Sequence, residues 1–342
     1  MNKQYVLDFA KALLSIDSPS GYTHKAMKFV EEEVKQLGYE TCYSEKGNLL
    51  IHVKGQSNEK TVGICAHCDT LGLMVRSIKE NGYLALTTVG GPIVPTLDAE
   101  YCRIYTRDEK VYTGTILNTS PAIHVYPDAA SQTRTIDHME VRIDEVVKTK
   151  EDVQKLGIQN GDFVAYDPKV QLTDSGFIKS RFLDDKINVA SLIGVLEHMK
   201  ENAIVPLYDS IFMISSYEEV GHGMSWIPSQ ISELLAVDMG CIGLDLACSE
   251  YDVSICAKDS SGPYDYALTS HLIELAKTKK LPYAVDIYPQ YGSDVSAALS
   301  AGNNIRGALI GPGVHASHGM ERTHINAVLA TMELIEAYLT TK

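Results

Sequence analysis

The sequence lacks most of the features that mark secreted, membrane-spanning and nucleic-acid-binding proteins. No uncharged run approaches the ~20 residues that cross a bilayer. The first residues carry Asp8 inside their apolar stretch and no small-residue cleavage site, so we expect no signal peptide. Lysine and arginine total 30 against 44 aspartates and glutamates, which gives a formal charge of −14 over 342 residues. This acidic balance disfavours nucleic acid and anionic membranes as partners.

Cysteine is sparse and has no framework pattern. The seven cysteines are an odd number and are scattered, which favours a reduced cytoplasmic protein with free thiols. Cys65 and Cys68 form a C-x-x-C pair, but a structural zinc site needs a second close pair. We interpret Cys65 as a packed strand residue and Cys68 as lying near the strand's end, with zinc or redox use as the alternative. No G-x-S-x-G motif is present, so a serine hydrolase is unsupported.

Hydrophobic periodicity predicts a two-domain α/β protein. The length of 342 residues exceeds the ~100–200 residues of one domain. Apolar positions at helical spacing begin with Val6, Phe9 and Leu13, and strands alternate with helices through residues 1–71 and 167–342. Residues 72–166 instead show short alternating segments and weak helical periodicity. We therefore predict a small, β-rich domain inserted into an α/β domain.

Five short segments offer metal-binding or acid-base side chains, and four of them follow predicted strands. Ligands collect at the carboxyl ends of strands in open α/β sheets. The fifth, around Asp184, precedes a helix. The segments are Ala66-His67-Cys68-Asp69, Leu183-Asp184-Asp185-Lys186, Tyr217-Glu218-Glu219-Val220-Gly221, Val237-Asp238-Met239-Gly240 and Ser317-His318-Gly319-Met320-Glu321.

Taken singly, the first two segments have ordinary explanations as well as chemical ones. A ligating imidazole usually donates its second N–H to a carboxylate, and Asp69 could serve His67 in this way. The pair Asp184 and Asp185 could cap the following helix, as aspartate does well. Alternatively, nearby cations would relieve the repulsion between adjacent carboxylates.

The other three segments are equally ambiguous alone. Of Glu218 and Glu219, one could bind a metal while the other takes a proton from metal-bound water, or both could be solvated turn residues. Asp238 ends a buried strand, where an unpaired carboxylate is costly. His318 lies in a glycine-rich loop and could be a surface residue. Together, two histidines, three carboxylates and a spare glutamate match a dinuclear, zinc-type site.

In this order the five segments resemble the M42 family of metallo-aminopeptidases and, more broadly, the co-catalytic di-zinc peptidases. The resemblance covers the catalytic half of the chain and the position of the inserted domain. It implies an α/β catalytic domain with a mixed sheet and a small inserted β-barrel-like domain. It also implies five ligands for two divalent ions: Asp184 bridging both, His67 and Asp238 on one, and Glu219 and His318 on the other.

The same resemblance implies the chemistry. The ions would be zinc, with cobalt or manganese as alternatives, and Glu218 would be the general base for a metal-activated water. Asp69 would support His67, and a cis peptide would join Asp184 to Asp185. The enzyme would remove N-terminal residues from short peptides. Its inserted domain would mediate dimerisation, and the dimers would assemble into a dodecamer. A related N-acyl deacylase or dipeptidase, or a non-catalytic metal-binding assembly protein, remains the alternative.

Departures from the family pattern leave the substrate open. Thr70 follows Asp69 where the family often has glutamate, and His222 and Gly223 replace a Leu-Arg-Gly segment. His222 could contact substrate or simply pack. Asp294, within a segment similar to the family's Gly-Thr-Asp, could hold the substrate's amino terminus or cap the following helix.

Overall fold

The computed structural model describes all residues, 1–342, as seven α-helices, eighteen strands and three short 3₁₀ helices. The helices are α1 (Lys3–Leu14), α2 (His24–Gln36), α3 (Lys150–Lys155), α4 (Leu183–Glu201), α5 (Tyr266–Lys279), α6 (Asp294–Ser300) and α7 (Ile325–Thr340). The strands are β1 (Glu40–Tyr43), β2 (Leu49–Val53), β3 (Ser57–His67), β4 (Gly72–Ile78), β5 (Leu84–Val89), β6 (Tyr101–Tyr105), β7 (Val111–Asn118), β8 (Met139–Ile143), β9 (Phe163–Tyr166), β10 (Gln171–Leu172), β11 (Phe177–Ser180), β12 (Tyr208–Ser215), β13 (Ile231–Val237), β14 (Gly240–Cys241), β15 (Val253–Lys258), β16 (Tyr283–Ile287), β17 (Arg306–Val314) and β18 (Glu321–His324). The 3₁₀ helices are Val94–Leu97, Ile136–His138 and Glu218–Val220.

The chain divides into two compact units, one of residues 1–69 with 169–342 and one of residues 70–168. The larger unit holds a nine-stranded sheet in the order β1-β2-β12-β3-β13-β17-β15-β16, with β14 paired to β17. Its four central strands, β12, β3, β13 and β17, run parallel. A separate three-stranded sheet, β10-β11-β18, belongs to the same unit.

The helices of the larger unit form where the sequence supplies an apolar stripe or a fully apolar surface. In α1, Val6, Phe9, Ala10 and Leu13 are buried at the i, i+3, i+4, i+7 spacing of one helix face. By contrast, α4 buries residues on all sides, because it packs against α1, α7 and β3. A helix that is apolar all round belongs in a core. This buried helix carries Asp184 at its start.

The smaller unit is a closed barrel of six strands in the order β4-β5-β8-β7-β6-β9, all paired antiparallel. Closure leaves no unpaired strand edge in the barrel. Residues that alternate along β7 and β8, such as Ile116, Val141 and Ile143, are buried.

The predicted fold class is confirmed: a mixed-sheet α/β unit is interrupted by a small β-barrel. The observed ends of the strands differ from the predicted ends mainly where a strand extends beyond its apolar run. For example, the sequence predicts a strand over Thr61–Ala66, and β3 extends from Ser57 to His67. No helix of the structure is long and apolar enough to cross a membrane.

Candidate metal centre

The carboxyl ends of the four central parallel strands bring the predicted site residues together. His67 is the last residue of β3 and pairs with Ser215, the last residue of β12. Glu218 and Glu219 follow β12 as a 3₁₀ turn, and Asp238 directly follows β13. Because parallel strands end at the same edge of the sheet, side chains far apart in sequence converge there.

Asp184 lies between the two histidines. Its Oδ1 is 3.0 Å from His67 Nε2, and its Oδ2 is 3.5 Å from His318 Nε2. The peptide that joins it to Asp185 is cis, as the family resemblance implies. Both aspartates have non-helical backbone angles, so the regular turns of α4 begin after them. Neither carboxylate accepts from a backbone N–H of the first helical turn, since Asp185 accepts instead from the His67 N–H and from Asn188 Nδ2. The capping explanation of this pair is therefore wrong.

Two groups of donor atoms share His67. One contains His67, Glu218 and Asp238, and the other contains His67, Asp184 and Glu219, with ligand atoms within 4.8 Å of one another in each group. His318 Nε2 approaches Glu219 Oε2 at 3.7 Å. The second oxygen of this glutamate, Oε1, is buried without a hydrogen-bond partner. A buried carboxylate oxygen left unpaired is costly, so this donor set fits bound cations.

The main chain fixes the orientation of the His67 ring. Nδ1 lies 2.9 Å from the carbonyl oxygen of Asp69, which can only accept, so Nδ1 carries a proton and Nε2 is directed at the cluster. The Asp69 carboxylate, which sequence reasoning placed on this ring, lies farther away, with Oδ1 at 3.6 Å. It accepts from Ser20 Oγ at 2.5 Å and from the N–H groups of Glu218 and Glu219 at 3.1 and 3.2 Å. Asp69 thus orients both glutamates.

Burial and mutual repulsion disturb the acids of the cluster. Burial raises the pKa of Glu218 and of Glu219 well above their usual range. Burial and the nearby Asp184 raise the pKa of Asp238 to about 7. Although burial opposes it, the hydrogen bonds from His318 and His67 lower the pKa of Asp184. So many acids around two imidazoles resist ionisation without a counter-charge, and bound divalent cations would supply that charge.

Two supporting residues were absent from the predicted site. Glu321 accepts from the N–H groups of both Asp184 and His318, at 3.0 Å each, and thereby joins two potential ligands. It holds His318 at a φ of 62°, a conformation uncommon outside glycine. Asp185 accepts from the His67 N–H at 3.0 Å. Both residues lay inside the motifs, but their backbone partners are distant in sequence and only the fold reveals them.

Neither of the two predicted substrate contacts belongs to the groups of donor atoms. The Asp294 carboxylate is buried and accepts from Ser215 Oγ at 2.5 Å and from the Met224 N–H at 2.8 Å, so both its oxygens are occupied. It does not cap α6, because Ser293 is the N-cap residue; the capping alternative is therefore wrong. His222 is exposed and stacks on Tyr217 with ring centroids 4.9 Å apart. Their contact with substrate stays a prediction.

The two cysteines of the C-x-x-C pair are buried free thiols. Burial raises the pKa of Cys65 well above its usual range and that of Cys68 to about 11. Because metal binding and disulfide exchange use the thiolate, both thiols are poorly suited to either role. The packing interpretation of Cys65 agrees with its place in β3.

A cavity of about 420 Å³ opens beside the cluster. Asp184, Glu218, Glu219, Asp238 and His318 form one side of its lining. The other side comes from residues 290–293 and from α6, with Ser296, Ala297 and Ser300. The site can therefore admit a small ligand to the acids and imidazoles.

The sequence and the fold both match known peptidases. The family model described as M42 glutamyl aminopeptidase matches residues 47–334. YhfE of Bacillus subtilis (strain 168), a candidate aminopeptidase, is 45% identical over 334 residues, which cover 97% of this chain and 96% of that protein. The lysyl aminopeptidase of Pyrococcus furiosus is 28% identical over 209 residues, which cover 60% of this chain and 58% of that protein.

Two solved structures share the fold over 98% of this chain. The aminopeptidase APDkam598 from the archaeon Desulfurococcus kamchatkensis superposes with a TM-score of 0.87 at 21% identity, over 95% of its chain. The TET1 peptidase of Pyrococcus horikoshii, which can assemble into a tetrahedron or a large octahedral shell, gives 0.86 at 20% identity, over 100% of its chain. Since the family model spans most of the sequence and the Bacillus relative matches nearly all of it, the chain belongs to the M42 family and is an aminopeptidase, a hydrolase of peptide bonds.

Proposed function

We propose that this protein is a two-metal aminopeptidase that removes N-terminal residues from short peptides, with Glu218 as general base. The observation that carries the proposal is the position of Asp184, whose two carboxylate oxygens face two different imidazoles. One carboxylate placed in this way can give an oxygen to each of two ions. The membership of the M42 family, whose peptidases are metal-dependent, supports the same conclusion.

Five residues would hold the ions, zinc first and cobalt or manganese as alternatives: Asp184 shared by both, His67 and Asp238 on one, and Glu219 and His318 on the other. When bound, two such ions act as Lewis acids and make hydroxide available near neutral pH. The chain's own part is to fix the donors. The Asp69 main chain orients His67, and Glu321 orients Asp184 and His318.

Glu218 would move the proton. Its carboxylate is partly exposed at the cavity, with Oε2 at 3.7 Å from His67 Nε2, so it is close to the donors without a hydrogen bond to either histidine. It would accept a proton from the attacking water and deliver it to the leaving amine. The Asp69 carboxylate holds the Glu218 N–H and so keeps this side chain at the cavity. The grouping of Glu218 with His67 and Asp238 also allows a ligand role, which metal analysis of a variant distinguishes.

Peptides that differ only at the amino terminus test the aminopeptidase function. After loading with zinc, cobalt or manganese, the protein should cleave a short peptide with a free amino terminus and leave its acetylated counterpart intact. A chelator should abolish the activity, and added metal should restore it. Faster cleavage of the acetylated peptide would instead establish an N-acyl deacylase or acyl-peptidase, and hydrolysis of neither with any ion would favour a non-catalytic metal-binding protein.

We also propose that the barrel unit, residues 70–168, holds a homo-oligomer together, as dimers that can assemble into a dodecamer. The support is the shared fold with a peptidase that assembles into a tetrahedron. The barrel unit exposes several large apolar side chains, among them Ile123 at 65% and Val125 at 69%. Adjacent exposed apolar residues are typical of interaction surfaces.

A further inference from the structure

The cavity beside the metal centre has a wall of short side chains. Ser293, Ser296, Ala297 and Ser300 follow the i, i+3, i+4, i+7 spacing along α6 and its cap, so they share one helix face. We name this face the α6 wall. The lining also includes four of the potential metal ligands, Glu218 and residues 290–292. When the carbonyl of the scissile bond lies at the metal ligands and Glu218, the side chain of the substrate's N-terminal residue would fill the rest of the cavity, against the α6 wall.

Hydrogen bonding behind the α6 wall directs two hydroxyl protons away from the cavity. The buried Asp259 carboxylate accepts from Ser296 Oγ and, at 2.8 Å, from the Tyr264 hydroxyl. Because the Tyr264 proton is used there, the 2.8 Å contact between Tyr264 and Ser293 requires Ser293 Oγ to donate. Both serines therefore present oxygen lone pairs, not protons, to a ligand in the cavity.

The cavity also has no positive side chain for a substrate. Neither lysine nor arginine lines it, and its only imidazole belongs to His318. Its four carboxylates, Asp184, Glu218, Glu219 and Asp238, would be balanced by two divalent ions. The oxygens of Asp259 are already occupied by Ser261, Ser296 and Tyr264, so this carboxylate is not available to a basic side chain.

We infer that the α6 wall selects peptides with an uncharged N-terminal residue and rejects N-terminal glutamate, despite the glutamyl description of the family. This inference rests on the proposed aminopeptidase function and adds its substrate class. A glutamate side chain here would meet the neutral groups of Gln290 and Ser300 but no cationic partner, and burying a carboxylate without a counter-charge is costly. A lysine side chain could donate to the serine lone pairs, but its charge would have no free carboxylate, because the carboxylates of the lining would be balanced by the two ions. An uncharged side chain loses no ionic hydration.

The glutamine and glutamate p-nitroanilides are a matched pair for the test, because they have nearly the same shape and differ in charge. With the metal-loaded wild-type protein, kcat/KM for the glutaminyl substrate should exceed that for the glutamyl substrate by ~100-fold or more, as expected for an unpaired buried charge. Leucyl and methionyl substrates should also be cleaved faster than lysyl and glutamyl ones. An equal or greater rate on the glutamyl substrate overturns the inference and leaves the aminopeptidase function standing.

A charged residue introduced on the α6 wall tests whether this helix face contacts the side chain of the N-terminal residue. Ser300→Arg should raise kcat/KM for the glutamyl substrate by ~10-fold or more, since the guanidinium supplies the missing partner. The matched control is Leu299→Arg on the same helix, at a residue that is 42% exposed and does not line the cavity; it should leave the preference unchanged. The α6 wall is not the selecting surface if both variants gain the same activity on the glutamyl substrate. The same conclusion follows if Ser300→Arg still cleaves the glutaminyl substrate but gains no activity on the glutamyl one. The wild-type comparison is independent of both variants. Failure to cleave any aminoacyl substrate with any added ion would instead refute the aminopeptidase function itself.

Discussion

At the scale of single residues, Asp184 is the residue on which the proposed metal centre depends most. Its carboxylate oxygens lie 3.0 and 3.5 Å from the Nε2 atoms of the two histidines, whereas the closer histidine contact of Glu219 is with His318, at 3.7 Å. Asp184→Ala should therefore lose both ions, and Glu219→Ala should retain one. Metal content per folded chain, measured by mass spectrometry after gel filtration, separates the two variants. Two tightly bound ions in Asp184→Ala would refute the bridge.

The candidate site residues could be proposed from the sequence because four of the five motifs join a metal-binding or acidic side chain to the end of an apolar strand. The supporting contacts could not be predicted in this way. Asp69 was expected to hold the His67 ring through its carboxylate, but the carbonyl oxygen makes that contact and the carboxylate binds the backbone of Glu218 and Glu219. Backbone groups are present at every position, so the sequence carries no signal for which one is used.

At the scale of elements, strand β17 must lie close to the end of β13 to position Asp238. Gly311 lies within β17, and a Cβ built there would be 1.6 Å from the carbonyl oxygen of Asp238. Gly311→Ala should therefore displace the Asp238 backbone, reduce metal affinity and lower the free energy of unfolding by ~1–3 kcal/mol, as is usual for overpacking. Urea denaturation and metal titration measure both effects.

The matched control for this prediction is Gly243→Ala, because no atom lies within 4 Å of the corresponding Cβ. It should unfold and bind metal like the wild type. If Gly311→Ala behaved like this control, the close packing of β17 against Asp238 would not be required for the site.

Helices and strands were predicted correctly where the apolar residues followed one clear helical or strand spacing. The sequence predicts a strand at Tyr283–Ile287, and β16 has these bounds; the buried face of α1 was also predicted correctly. Strand β15, at Val253–Lys258, escaped prediction although its first four residues are buried. Ser254 and Cys256 interrupt its apolar run, and its place between β17 and β16 comes from tertiary pairing that a local pattern does not contain.

At the scale of the whole molecule, the proposed assembly depends on the barrel unit. Replacing the exposed Ile123 and Val125 together by aspartate should shift the protein to a smaller species, because acidic side chains are costly to bury at an interface. Sedimentation velocity measures the size. Leu244→Asp, a change at a 91% exposed residue of the other unit, should leave it unchanged. A double variant with the wild-type sedimentation coefficient would contradict this surface as the interface.

The central claim is that Glu218 transfers the proton at a two-metal site and is not itself a metal ligand. Glu218→Gln keeps the size of the side chain and removes its basicity. The most direct measurement therefore combines metal content and turnover in this one variant. We predict two ions per chain, as in the wild type, with kcat reduced by ~10²–10⁴-fold or more, the usual effect of removing a general base. Near-wild-type turnover in a variant with both ions bound would contradict the account, and loss of one ion would make Glu218 a ligand.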